Sequence, residues 1–311
     1  LATCPLLVGI GWLAVAAAVV GVYLAPIETT LAARPAWRFR LGRYRWLIAA
    51  GVAALLGAVT VLPLASLVQR TGVEVTRTGN DYVRSWSAVE GVRRVAESAL
   101  RFSTEFLWST WIGLAAATAA VALATILAWS ARRGSAGSFL VIAVIGAAAA
   151  VPGPIVGIGI IRTLTGTDWW LMEFLYDRTI LAPWAAQVIR AAAPTILFCW
   201  HALRSVSSDT LDAAATEGAD AVTRWWWVGL AQRRRALAAA WLVAWIIAFG
   251  ELSATILTVP PGVTPISVRV FGLLHYGVDD QVAAVSLVQV VAFAAFAAAL
   301  VLVLRRSGEE S

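Results

Sequence analysis

The chain has 311 residues, of which 60% are hydrophobic and 14% charged, where an average soluble domain carries about 25% charged residues; its mean hydropathy is +0.79. That composition excludes a soluble globular protein. The formal net charge of +6 rests on arginine alone, because the sequence contains no lysine; no G-x-x-x-x-G-K-[ST] loop therefore exists to cradle nucleotide phosphates, which excludes an ATPase of that type on this polypeptide.

Apolar runs of about twenty residues, enough to cross about 30 Å of hydrocarbon as a helix, predict an all-α, polytopic transmembrane helical bundle. About seven spans are expected, near 6–25, 46–68, 108–130, 139–161, 181–201, 238–258 and 281–304. Residues 1–25 read as a leading span that stands apart from the rest. Residues 26–45 form a basic linker, with Arg34, Arg38, Arg40, Arg43 and Arg45 among aromatic residues suited to the headgroup region. Residues 46–304 hold six spans in a regular series, and 305–311 form a tail.

With the N-terminus outside, the cytoplasmic segments carry fourteen arginines and the opposite face nine, six of those nine in the loop 69–107. The positive-inside rule then places the C-terminus in the cytoplasm of an inner-membrane protein. Topology accounts for this charge, so membrane lipid and no nucleic acid is expected as partner.

The external loop 69–107 carries Trp86, Val89, Val92, Val95, Leu100 and Phe106 among alternating charges. It reads either as an amphipathic helix on the outer surface or bundle, or as a solvated connector. Span 139–161 contains Pro152, Gly153 and Pro154 within a run that also holds Gly157 and Gly159, and cannot be an undistorted helix. A break there marks a pathway or gate, or else permits close helix packing.

The segment 202–237 is the longest cytoplasmic loop. Ser208 or Asp209 can cap a helix N-terminus, alanines propagate it, and Gly218 is placed to end it in a left-handed conformation. A short helix, a tight turn and a second helix are expected. With the spans on either side this forms either a docking lever for a soluble partner or an ordinary connector.

Span 238–258 holds Glu251, a carboxylate whose burial at that depth costs about 2.5–3.5 kcal/mol unless it faces a cavity or a partner. It should face inward with Ser253 nearby, lining a passage for a cationic substrate or making a structural pair or hydrogen bond, for instance with Arg190. His201 and His275 read as structural residues and Cys4 and Cys199 as buried small side chains. No catalytic or metal-ligating constellation is evident, so no enzyme activity is expected within the chain.

The loop resembles the EAA loop of ABC-importer permeases, which runs Glu-Ala-Ala, three residues, Gly, nine residues, Ile, one residue, Leu-Pro. Asp212 stands at the glutamate, Ala213 and Ala214 at the alanines, Gly218 at the glycine, Val228 at the isoleucine and Leu230 at the leucine, while Ala231 replaces the proline. The linker before Trp46, the Pro152–Pro154 stretch and Phe249–Thr255 resemble the ferric-iron, thiamine and polyamine branch. Span 6–25 then resembles the last helix of an upstream unit, and the chain the C-terminal half of a fused iron(III) permease.

The resemblance implies that an ABC ATPase dimer, which binds ATP and Mg, docks on Asp209, Asp212, Ala213, Ala214, Glu217, Gly218 and Arg224, with Val228 and Leu230 completing the loop. It also implies a periplasmic or lipid-anchored solute-binding protein and a second permease half, either the fused N-terminal half or another copy. No cofactor is expected in this chain. The rival readings are a secondary transporter or channel driven by an ion gradient, and a membrane-embedded enzyme or assembly factor.

Overall fold

The computed structural model describes residues 42–78, 81–132, 135–166 and 169–309. The expected leading span 6–25 and most of the linker 26–45 lie outside the described residues. After a 3-10 turn at Gly42–Tyr44 the elements are α1 (Arg45–Thr71), β1 (Val73–Thr78), β2 (Asp81–Trp86), α2 (Ala88–Arg101), α3 (Ser103–Ser130), α4 (Ser135–Ala150), α5 (Gly153–Thr165), α6 (Trp170–Arg178) and α7 (Leu181–Arg204). They continue as α8 (Ser208–Thr216), α9 (Ala221–Thr223, running on as a π-helical segment Arg224–Leu230), α10 (Arg234–Gly250), α11 (Thr255–Thr258), α12 (Ile266–His275) and α13 (Asp279–Glu309).

The protein is a membrane-embedded helical bundle. Among the described residues, four helices are long and apolar enough to cross a membrane: α1, α3, α7 and Asp279–Leu302 of α13; a bent pair, α4 from Gly137 with α5, makes a fifth if counted as one span. The expectation of seven spans is therefore not met among the described residues. The expected span 238–258 is interrupted, because α10 ends at Gly250 and the chain turns through Glu251 before the four-residue α11. Span 139–161 is broken at Pro152, with a 97° bend between its two helices. Proline at 152 supplies no amide to continue α4, and its extended backbone instead opens α5.

The chain divides into two compact units, one comprising residues up to Arg101 with Leu273–Ala294, the other Phe102–Gly272 with the chain from Ala295. In the larger unit α3, α7 and α10 pack on one another. Their buried faces consist largely of small residues: Ala116, Ala117, Ala120 and Ala124 on α3, Ala182, Ala186, Ala191 and Ala202 on α7, Ala239, Ala240, Ala244 and Ala248 on α10. In lipid there is no hydrophobic drive between helices, so small side chains that let backbones approach are what give van der Waals contact. A cluster of Ala124, Ala128, Val141, Ile196, Cys199, Leu203 and Ala240 joins α3, α4, α7 and α10. At the other end, Ser109 Oγ accepts from Ile266 N–H at 2.8 Å, and Arg269 meets the buried Glu105 at 2.7 Å, tying α12 to the start of α3.

In the smaller unit, the expected loop 69–107 contains an antiparallel hairpin of β1 and β2, with Val73 opposite Trp86 and Glu74 opposite Ser85, followed by the amphipathic α2. Neither expected form of the loop included these strands. Arg94 of α2 holds the strand entry, donating to the carbonyls of Thr71 and Val73 at 3.3 and 2.8 Å. Its carboxylate partners are Glu90 and Asp280, while Arg70 pairs with Asp279.

Candidate functional site

The loop between α7 and α10 begins with a serine cap. Ser207, rather than the expected Ser208 or Asp209, precedes α8 with extended backbone, and its side chain accepts from the Asp209 amide at 3.2 Å. One residue earlier in the chain, the same chemistry leaves Asp209 in the first turn, where a carboxylate suits the helix dipole. Leu211 turns inward and is 1% exposed, whereas Asp209, Asp212, Ala213 and Glu217 face outward and Ala214 is half-buried.

Gly218 has φ +89°. Its amide donates to Ala215 O and that of Ala219 to Ala214 O, both at 3.0 Å, the paired bonds of a Schellman ending that needs a left-handed residue at this position. Asp220 then caps the next helix by accepting from Thr223 N–H at 2.7 Å. Hydrogen bonding by Thr223, from its side chain first and then its amide, holds the Asp220 carboxyl below the usual carboxylate range.

The π-helical segment carries Arg224, Val228 and Leu230. It seats Gly229 so closely on α3 that a Cβ there would lie 2.4 Å from the ring of Trp129; Arg132 stacks over the same ring at 3.7 Å. The guanidinium of Arg233 donates to the carbonyl of Ser205, so the residue leaving the loop is bonded to the residue entering it. Partial burial lowers the pKa of that guanidinium. The loop is thus a capped helix, a left-handed turn and a second helix, clamped at its base between α7 and α10.

The second group of expected residues is brought together from two breaks about a hundred residues apart in sequence. A Cβ on Gly153, at the start of α5, would lie 1.8 Å from Ser253 Oγ, and one on Gly157 would meet Leu257 and the Ala254 carbonyl. Val156, Ala186 and Ala254 form a buried cluster beside this crossing. Pro152 caps and Pro154 enters the first turn of α5, where a missing amide costs nothing.

Glu251 is buried, at 7% exposure. One carboxylate oxygen accepts from Ser253 Oγ at 2.7 Å and Ala254 N–H at 2.9 Å; the other accepts from Thr255 N–H at 2.8 Å and Thr255 Oγ1 at 2.6 Å. The pairing with Arg190 considered from sequence does not occur: Arg190 Nη1 donates to the Val151 carbonyl at 2.9 Å, where α4 ends. Each charge serves a broken helix end, cation at a C-terminus and anion at an N-terminus, the arrangement that helix dipoles favour. On α7, Gln187 is 1% exposed and its Oε1 has no hydrogen-bond partner among the described residues.

Sequence reasoning placed Ser207, Gly229 and Arg233 within the loop but gave none of them a role, and it found neither Trp129 as the seat of Gly229 nor Val151 as the acceptor for Arg190. Gly229 within a tryptophan-rich run was the visible signal, but nothing in the run says which ring it meets. Among the described residues, no three His, Cys, Asp or Glu side chains group as metal ligands. Comparison with models of known protein families and with curated proteins gives no match.

Proposed function

We propose that the protein is the membrane permease subunit of an ATP-binding-cassette importer, lying in the inner membrane with its C-terminus in the cytoplasm. One observation carries the reading: the 205–233 loop combines an outward-facing helix of Asp209, Asp212, Ala213 and Glu217 with a base fixed between α7 and α10. A flexible connector has no use for a capped helix, a Schellman glycine and an arginine clamp within thirty residues. A lever needs all three, because a push on α8 must reach α7 and α10 before it is lost in local motion.

In this reading a separate ATPase dimer, holding ATP and Mg, seats on α8 and the Gly218 turn. The spacing of Asp212, Ala213, Ala214, Gly218, Val228 and Leu230 resembles the loop that receives such subunits. Closing and reopening of the dimer rocks α7 and α10. The crossing of Gly153 and Ser253 is the place where relative movement of broken helices opens a passage. A solute-binding protein delivers the solute from the other side, and a second permease half completes the pathway. Ferric iron is the solute that the resemblance favours, then thiamine or a polyamine.

The test is ATP hydrolysis by the complex purified with its ATPase in nanodiscs, with and without solute-binding protein. Gly218→Pro and Asp212→Arg should lose the ATPase or uncouple it while the bundle keeps its thermal unfolding profile. Both variants retaining a bound, stimulated ATPase would refute the docking reading and leave an ion-gradient-driven transporter as the better account.

A further inference from the structure

The smaller unit contains a cleft of about 790 Å³ between the last turns of α1 and the hairpin, within the about 300–1,000 Å³ of small-ligand sites. One wall is a helical stripe, Val61, Leu64, Ala65 and Val68; the other carries Trp86 and Arg84, with Gln69 at the junction. The two walls differ in kind. The apolar one belongs to α1, a helix long and apolar enough to cross a membrane. The other presents a guanidinium beside the C-terminal end of the same helix, where the chain leaves the apolar layer.

Arg84 differs from its neighbours. Arg70, Arg93 and Arg94 each sit on a carboxylate, but Arg84 is exposed and has no ionic partner among the described residues. The antiparallel register puts Glu74 opposite Ser85 and Val73 opposite Trp86. Since faces alternate along a strand, Arg84 shares its face with Trp86 and not with Glu74. The half-exposed indole lies against the backbone at Gly72, where a Cβ would be 2.4 Å from Trp86 Nε1. An indole beside a cation that has no ionic partner among the described residues, at the end of an apolar groove, matches an amphiphile with an acidic head.

We propose that this cleft holds one anionic phospholipid, an acyl chain along Val61, Leu64 and Val68 and its phosphate against Arg84. The proposal needs only that α1 lies in a bilayer and is independent of the permease reading. A zwitterionic lipid offers the same chain, but its own cation competes with Arg84 for the phosphate.

The experiment uses the full-length protein in phosphatidylcholine nanodiscs doped with acyl-brominated phosphatidylglycerol or acyl-brominated phosphatidylcholine. Tryptophan quenching assigned to Trp86 is the difference between wild type and Trp86→Phe. Half-maximal quenching should need about fivefold less phosphatidylglycerol than phosphatidylcholine, the ratio expected for one arginine near an anionic headgroup, and Arg84→Gln should erase that ratio. Native mass spectrometry of the wild type, which needs no variant to fold, should show phosphatidylglycerol retained over phosphatidylcholine. Equal quenching by both lipids, no quenching by either because a protein partner fills the cleft, or relief by inorganic phosphate because the site takes a free anion, would each overturn it.

Discussion

Replacing Glu251 is the sharpest perturbation of the helix crossing, because its carboxylate takes four hydrogen bonds in a site only 7% exposed. In Glu251→Ala the hydroxyls of Ser253 and Thr255 can rotate to other acceptors, but the amides of Ala254 and Thr255 cannot. Each buried amide left unsatisfied costs about 1–3 kcal/mol, so the two cost about 2–6 kcal/mol. Removing a buried charge returns part of this. Four donors within 2.9 Å have already met most of the carboxylate's desolvation, which leaves a net loss of about 2 kcal/mol or more. Glu251→Gln keeps one acceptor oxygen and turns its amino group toward the Thr255 amide, so about 1–3 kcal/mol is expected. Reversible unfolding in mixed detergent micelles should rank wild type above Gln above Ala, with faster amide exchange at Ala254 and Thr255. An alanine variant within about 0.5 kcal/mol of wild type, the size of an ordinary surface change, would refute the capping argument.

Gly153→Ala should destabilise by about 1–3 kcal/mol through overpacking, since its Cβ would lie 1.8 Å from Ser253 Oγ and 2.7 Å from Ser253 Cβ; adding Ser253→Gly removes both atoms and should recover most of the loss in the same unfolding measurement. Asp220 has its folded pKa below its unfolded value through hydrogen bonding by the Thr223 side chain and amide, so its cap stabilises α9 above about pH 4 and fails as pH falls through the folded pKa. Amide exchange at Thr223 should therefore quicken relative to neighbouring amides only in acid for wild type, and already at neutral pH in Asp220→Ala. Arg190→Met and Glu251→Gln should be additive within about 0.5 kcal/mol, because the two side chains bind different backbone groups; a coupling well above that in a double-mutant cycle would restore the ion pair.

The long apolar runs of α1, α3, α7 and α13 were legible because their signal is summed over some twenty positions, and shifting an end by a few residues leaves it intact. The break at Pro152 was equally plain, since two prolines flanking a glycine remove amides where a helix needs them. The end of α10 was not. Gly250, Glu251 and Leu252 continue an apolar run, and what stops the helix is a carboxylate bending back onto amides three and four residues ahead, a competition between side chain and backbone that has no periodicity. The hairpin carried a signal that the reading of loop 69–107 as an amphipathic helix or a solvated connector left out: the runs Val73–Thr78 and Asp81–Trp86 flank a Gly-Asn pair in the sequence. In the loop, the Gly218 ending was visible as a local rule of backbone geometry. The fit of Gly229 on Trp129 was invisible, as it joins positions a hundred residues apart.

The two intramembrane charges illustrate why sequence pairs opposite charges too readily. Arg190 and Glu251 are both deep in apolar runs, and mutual neutralisation is the simplest way to make either tolerable there. Broken helices offer another. Each break exposes backbone groups that lipid cannot satisfy, carbonyls at the end of α4 and amides at the start of α11. A guanidinium at Val151 and a carboxylate at Ala254 and Thr255 meet those needs and their own desolvation together. A direct ion pair would leave the Val151 carbonyl and both amides without their present partners. The charges are therefore consequences of the breaks, and the breaks are held by contacts that leave no room for one added carbon between Gly153 and Ser253.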